Sequence, residues 1–225
     1  MGHITIVRHG QSESNLSGLV ESRSQGKLTD TGLETARALG KFIKDETFTR
    51  IYSSDLNRCR ETLEQIVSEL STPVPTVEYR AELRERDFGD KELVPVKDMW
   101  DVLIKLNIPL HLGHTVDVEN GEPYEQARER AHKFLQEMFA LIDGSEPQST
   151  ENILVVSHGV FIMCLLDNFL QNPDLYDVQN VTDEDIKRIV KNTSRTRFLI
   201  SKNVENGKWV INFTHYFDLE HLNLN

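Results

Sequence analysis

Hydrophobic positions divide the chain into short apolar runs and longer amphipathic stretches. Ile4 to Val7 is a brief β-branched run ending at Arg8-His9-Gly10, which predicts a buried strand. Thr31 to Lys44 places Leu33, Ala36, Leu39, Phe42 and Ile43 near helical spacing, with Thr29 or Asp30 as cap. Arg50 to Ser53 predicts a second strand. Ser54 or Asp55 then supplies an N-cap for a helix reaching about Leu70, stopped by Ser71-Thr72-Pro73. Val74 to Tyr79 reads as extended, and Pro75 makes it an edge or irregular strand.

The second half follows the same alternation after an interruption. Lys97 to Leu106 has a helical pattern, but Pro95, Pro109 and Gly113 break its surroundings, so residues 90–120 read as a helical insertion-like region. Pro123 through Asp143 predicts a longer helix that starts with proline near its first turn. Gly144 to Thr150 reads as a loop, and Asn152 to Val156 as the clearest buried strand, closing on Ser157-His158-Gly159. Val160 to Leu170 is an apolar helix and Asp183 to Val190 another, its acidic segment Asp183-Glu184-Asp185 a helix start or a solvated face. Arg197 to Ile200 and Lys208 to Phe213 predict two final strands joined at Asn206-Gly207.

Strands alternating with helices predict an α/β three-layer sandwich, a mainly parallel sheet with helices on both faces. The 225 residues suit a single domain spanning 1–225. In such sheets ligands sit at the carboxyl ends of the strands. No apolar run reaches the ~20 residues of a membrane span, and the N-terminus lacks the pattern of a secretory signal. Gly2 suggests a myristoylation check, but its neighbours read better as a first strand. Cys59 and Cys164, with no metal spacing between them, predict free thiols in a reducing compartment. The sequons at Asn180, Asn192 and Asn212 matter only in a secreted chain. These features predict a cytoplasmic protein, with the nucleus also compatible.

A net charge of −11 argues against nucleic acid and anionic membranes as partners. It leaves room for a small anionic substrate held by a local arginine cluster. Two strands ending in His-Gly supply candidates: on parallel strands, His9 and His158 share one rim. Glycine there lets the chain turn and bring backbone close to a ligand. Arg58 follows a third strand at a helix start, where free N–H groups and the dipole favour anions. Its planar fork matches phosphate oxygens, and Arg8 adds a second. The Gly159 and Val160 amides open the helix after His158 and are further candidate donors. Taken singly, a histidine after a strand is more often structural and an arginine at a helix start a surface residue. The repetition of the pattern is what points to chemistry.

These residues resemble a family. Arg8-His9-Gly10-Gln11-Ser12-Glu13-Ser14-Asn15 is similar to the opening signature of the histidine phosphatase (phosphoglycerate mutase-like) superfamily. The resemblance continues in order through Leu28-Thr29-Asp30-Thr31-Gly32, Ser53 to Thr62, Leu83 to Gly89, Asn120-Gly121-Glu122, Ser157-His158-Gly159 and Asp218 to Leu222. It implies a phosphoglycerate mutase-like fold and a phosphohistidine on His9. Arg8, Arg58 and His158 would surround the phosphoryl group, and Asn15 would bind it. Glu85 would protonate the leaving oxygen and then activate water. Ser22 and Arg86 are further substrate-contact candidates.

Leu-Arg-Glu-Arg followed by an aromatic and glycine is similar to TIGAR-like fructose-2,6-bisphosphatases and fungal broad-specificity phosphatases. Cofactor-dependent mutases hold a substrate carboxylate with an arginine pair, whereas Asp90 to Asn120 contains Lys91, Lys97 and Lys105 but no arginine. Two departures fall where the resemblance places the substrate side of the pocket. Leu93 follows Glu92 where the family often has glycine, and Pro123 follows Gly121-Glu122 where it has a hydroxyl residue. The expectation is therefore a metal-independent phosphomonoesterase of the histidine acid phosphatase type, acting on small sugar or metabolite phosphates. It needs no cofactor and no obligatory oligomer. The alternatives are a cofactor-dependent phosphoglycerate mutase and a catalytically weak phosphate-binding scaffold. His111-Leu-Gly-His114 has metal-like spacing without an evident third ligand. His3, His132, His215 and His221 read as structural or surface residues.

Overall fold

The computed structural model describes residues 1–144 and 150–223. The expected loop Gly144 to Thr150 therefore lies mostly outside the described residues. A seven-stranded sheet runs in the order β3-β2-β4-β1-β6-β7-β5. Its strands are β1 (Gly2–Arg8), β2 (Arg50–Ser54), β3 (Val77–Arg80), β4 (Glu151–Ser157), β5 (Tyr176–Gln179), β6 (Arg195–Lys202) and β7 (Trp209–Asp218). β1, β2, β3 and β4 are mutually parallel, and β6 runs against both β1 and β7. β5 pairs parallel with β7. The sheet is thus mainly parallel, as the pattern predicts, with one reversed strand.

Among the described residues, seven α-helices accompany the sheet: α1 (Glu13–Leu16), α2 (Asp30–Phe42), α3 (Asn57–Val67), α4 (Val96–Lys105), α5 (Tyr124–Asp143), α6 (Gly159–Gln171) and α7 (Asp183–Ile186). Alternation along the strands decides which helix packs where. Ile4, Ile6, Ile153 and Val155 face α5 and α6, in a core that includes Phe134, Met138, Phe161 and Phe169. Val7, Leu154 and Val156 point the other way, onto Leu39 of α2 and Leu63 and Ile66 of α3. Two apolar layers on opposite faces of one sheet make the three-layer sandwich.

Register explains the site. Arg8 lies opposite Ser157, and Ser53 opposite Val156. Three neighbouring parallel strands therefore end at one level, bringing His9, His158 and the start of α3 to the same rim.

The structure corrects several element boundaries. The predicted caps Ser54 and Asp55 do not cap α3; Leu56 holds that position without a side-chain bond. Ser54 instead ends β2, and Asp55 accepts both forks of Arg84 at 2.7 and 2.6 Å. Thr29 does cap α2, accepting from Gly32 N–H at 3.0 Å. The helix expected over Asp183 to Val190 is a single turn ending at Ile186. β5, unforeseen in the sequence, is a four-residue edge strand with one buried side chain, too short for an alternation signal. Residues 90–120 fold as α4 and a 3₁₀ turn, Leu110–Thr115. Cys59 and Cys164 are both buried free thiols. Among the described residues no helix is long and apolar enough to cross a membrane.

Candidate active site

His9 follows β1 and is almost fully buried. Its Nδ1 lies 2.7 Å from the Gly10 carbonyl. A carbonyl only accepts, so Nδ1 carries the proton and Nε2 keeps its lone pair. Burial, then the Arg58 and Arg8 guanidiniums, hold the imidazole well below its ordinary value of 6.5, against the Gly10 bond. His9 is therefore neutral and open at Nε2, the state a nucleophile needs. Gly10 is fixed by its N–H donating to Thr62 Oγ at 2.8 Å. Thr62 donates in turn to the Arg58 carbonyl at 2.6 Å, tying β1's end to α3.

His158 caps α6, and its ring centroid lies 5.2 Å from that of His9. Arg58 Nε donates to its Nδ1 at 3.1 Å, which leaves Nε2 as the protonated nitrogen facing Ser54 Oγ at 2.8 Å. Burial, then Arg58, hold this imidazole far below its ordinary value. The sulfur of Cys59 lies 3.4 Å from the same Nε2. That thiol is pushed up to about 12 by burial, so it stays protonated.

Arg58 is completely buried in the first turn of α3. Its two terminal nitrogens donate to the Ser24 and Ser22 carbonyls at 2.9 and 3.1 Å, and Glu21 lies 3.9 Å from its Nε. Arg8 donates Nη1 to the Val190 carbonyl at 2.6 Å, while its buried Nε has no partner among the described residues. Burial lowers Arg8 from its ordinary value, with Glu85 as the largest opposing influence. A buried guanidinium donor without a partner, on the residue that precedes His9, favours an anion at this end of β1.

Glu85 lies beyond β3 on a loop held to β4, where Ser157 Oγ donates to the Leu83 carbonyl at 2.8 Å. Its Oε1 accepts from Arg86 and Phe161 N–H at 2.9 and 2.8 Å, and its Oε2 from Val160 N–H at 3.1 Å. The Val160 amide, expected as a phosphate donor, is thus spent on Glu85. Gly159 stands beside Arg8, whose Nε is 3.3 Å from where a Cβ would sit. Asn15, on α1, accepts at Oδ1 from Asn192 Nδ2 at 2.9 Å.

Two expected substrate contacts lie elsewhere. Arg86 is completely buried, and its donors reach the carbonyls of Glu122, His114 and Val116 and the Asp117 carboxylate, at 2.7 to 3.0 Å. It anchors residues 114–122 rather than a ligand, because so many committed donors leave it little to offer. Ser22 gives its hydroxyl to Glu92, which also accepts from Ser22 and Ser24 N–H at 2.9 and 3.1 Å. Its hydroxyl oxygen also accepts from Phe88 N–H at 3.2 Å, and its carbonyl serves Arg58. Glu122 is likewise turned from the rim onto Arg130, at 2.9 and 2.7 Å. His114 uses both nitrogens within the protein, against the His111 carbonyl at 3.0 Å and Asp167 at 2.6 Å. Among the described residues, His215, Asp218 and Glu220 place three possible metal-ligand atoms within 4.8 Å. Asp218 there is already bound to Arg195 at 2.6 Å.

Sequence reasoning missed Ser54, Thr62, Glu21 and Asn192. Ser54 and Thr62 flank Arg58 in a stretch that carried the family resemblance, which was their available signal. Asn192 had none beyond its sequon.

Residues 4–202 match the histidine phosphatase superfamily (branch 1). The chain belongs to this superfamily. It is 27% identical over 242 residues to the fructose-2,6-bisphosphatase TIGAR of Bos taurus, covering 91% of this chain and 89% of the relative. It is 30% identical to the probable phosphoglycerate mutase GpmB of Citrobacter koseri, covering 77% of each. Among solved structures, a phosphoglycerate mutase from Bacillus anthracis superposes with a TM-score of 0.76, at 23% identity over 99% of this chain and 95% of that one. A mycobacterial glucosyl-3-phosphoglycerate phosphatase gives 0.73, at 19% identity over 94% and 97%. These structures share the phosphoglycerate mutase-like fold. As a histidine phosphatase with phosphatase-named relatives, the chain is supported as a phosphatase enzyme acting on small phosphate esters.

Proposed function

We propose that this histidine phosphatase is a phosphomonoesterase that hydrolyses small sugar or metabolite phosphates through a phosphohistidine on His9. The observation that carries this reading is the neutral His9 imidazole, protonated at Nδ1 so that Nε2 keeps its lone pair, with the charges of Arg58 and Arg8 acting on it. In the first step Nε2 bonds to phosphorus as the P–O bond to the leaving group breaks. Glu85, entering protonated, gives its proton to that oxygen. In the second step water attacks phosphorus, its proton passes to Glu85, and the N–P bond breaks to release phosphate and neutral His9. Of the Glu85 oxygens, Oε2 has the single, longer amide contact and exchanges it more readily for a reacting oxygen.

Phosphoryl transfer asks mainly for positioning and charge stabilisation around the equatorial oxygens. Arg8 and Arg58 supply fixed positive charge, and Asn15 a polar contact, without calling on a metal. The TIGAR relative's name points to a sugar bisphosphate, and the lack of arginine from Asp90 to Asn120 speaks for hydrolysis over mutase chemistry. We further assign the chain one domain and a cytoplasmic site of action.

The test is a hydrolysis screen over phosphorylated metabolites and an aryl phosphate, with and without chelator and with His9→Ala as control. Expected are chelator-resistant phosphate release and no release by the variant. Full activity in His9→Ala, or complete loss with chelator, contradicts the reading. A coupled assay for 3- to 2-phosphoglycerate conversion separates a mutase.

A further inference from the structure

Residues 190–194, between α7 and β6, wrap the end of β1. The Val190 carbonyl holds Arg8 Nη1 at 2.6 Å, and the Ser194 carbonyl accepts the Arg8 N–H at 3.1 Å. Thr193 N–H reaches the carbonyls of Arg8 and His9 at 3.1 and 3.3 Å. Thr193 does this from a left-handed φ of 56°, an unfavourable state for a β-branched residue. Its hydroxyl is held on both sides, donating to the Asn192 carbonyl at 2.8 Å and accepting from His221 Nε2 at 3.1 Å.

The Asn192 side chain adds a chain of polarity. Its amide group lies 3.0 Å from the His9 carbonyl, which only accepts, so the atom there is Nδ2. The same nitrogen lies 2.9 Å from the Asn15 side chain, so the Asn15 atom facing it is Oδ1. Ser12 N–H, another donor, meets that oxygen at 3.4 Å. With Oδ1 held by two donors, Asn15 presents its amino group on the opposite side, where it has no partner among the described residues.

We propose that Asn192 is a positioning residue that fixes the Asn15 amide with its NH₂ toward the transferring phosphoryl group and ties it to the nucleophile's own backbone. The proposal rests on the reading of His9 as phosphoryl acceptor. Without Asn192, rotation about χ2 lets Asn15 turn its carbonyl to the phosphate, where oxygen meets oxygen. The Asn-Thr-Ser stretch that reads as a sequon is then an internal element of the site, its side chain committed inward.

A double-mutant cycle tests this, using Asn192→Leu, Asn15→Ala and the pair. The readouts are the Kd of inorganic phosphate by calorimetry, kcat/KM on an aryl phosphate, and the thermal midpoint. Asn192→Leu is expected to weaken phosphate roughly 10-fold, about the worth of one hydrogen bond to a charged group. In the Asn15→Ala background the same substitution should change Kd by less than about 2-fold, because its effect travels through Asn15. Equal losses in both backgrounds, or no loss beside an intact Asn15, overturn the proposal and leave the phosphatase reading standing. A wild-type protein that neither binds phosphate nor needs His9 overturns both. If Asn192→Leu fails to fold, Asn192→Ala carries the same cycle.

Discussion

The ends of β1 and β4 carry the same two residues, His-Gly, on paired parallel strands, yet the two imidazoles are held differently. His9 is bound at one nitrogen by a carbonyl of its own turn and keeps the other open. His158 is bound at both, by Arg58 and Ser54. The glycines differ as well. A Cβ on Gly10 would lie 2.6 Å from the Gly32 carbonyl oxygen, whereas one on Gly159 would meet the Arg8 side chain at 3.3 Å. A shared motif places both histidines at the rim, and their neighbours leave one with an open nitrogen and hold the other at both, which favours the proposed roles of nucleophile and fixed polar wall.

The largest expected effect breaks this comparison at its centre. His9→Ala should lower kcat on an aryl phosphate by about 10⁴-fold or more and abolish the acid-labile phosphoenzyme trapped from labelled substrate. His158→Ala should cost roughly 10²- to 10³-fold, the scale of losing a stabilising contact, and still form phosphoenzyme. The reverse order would reassign the nucleophile.

The glycines come next. Gly10→Ala forces two backbone segments apart and should cost about 1–3 kcal/mol in urea unfolding. Gly159→Ala presses only on a flexible side chain, so it should keep the midpoint while lowering kcat/KM through displaced Arg8. Equal destabilisation by both would show that the turn after β1 has no special closeness.

Acid should weaken the fold through His9, His158 and His221 together. The unfolded chain takes up protons near pH 6.5, while folded His9 and His158 resist them far lower, and His221 is lowered to about 4 by burial. Their contribution is fully present above 6.5 and is lost as pH falls toward the folded values. Each histidine adds a slope of up to about 1.4 kcal/mol per pH unit in that window. Urea midpoints from pH 7.5 down to 5 should decline, and His158→Asn should flatten the decline. A flat wild-type profile contradicts the buried neutral pair. The smallest effect is expected from Ser54→Ala, which removes one partner of His158 and should lower kcat by roughly 2- to 10-fold while leaving the His9 phosphoenzyme intact.

Much of this architecture is legible in the sequence. Ile4 to Val7 and Asn152 to Val156 are apolar on both faces because helices cover both, and such runs announce buried parallel strands. Arg58 was recognisable from its place after a strand and from its resemblance to the family. Other parts were not. Arg86 sits beside Glu85 in the chain, yet its side chain turns inward to residues 114–122, a direction that spacing does not encode. Asn192 joins the site only because β6 lies against β1, a pairing between residues nearly 200 positions apart.

By itself the sequence determined that strands end in His-Gly at a common rim and that a helix begins there with an arginine. Local pattern is sufficient for this, since burial periodicity and turn residues act over a few positions. Tertiary structure decided which histidine keeps a free nitrogen, that Arg86 supports the frame, and that Asn192 faces Asn15. Those outcomes depend on which donor or acceptor from a distant segment arrives within 3 Å or so of a given atom, and that distance exists only once the sheet has closed.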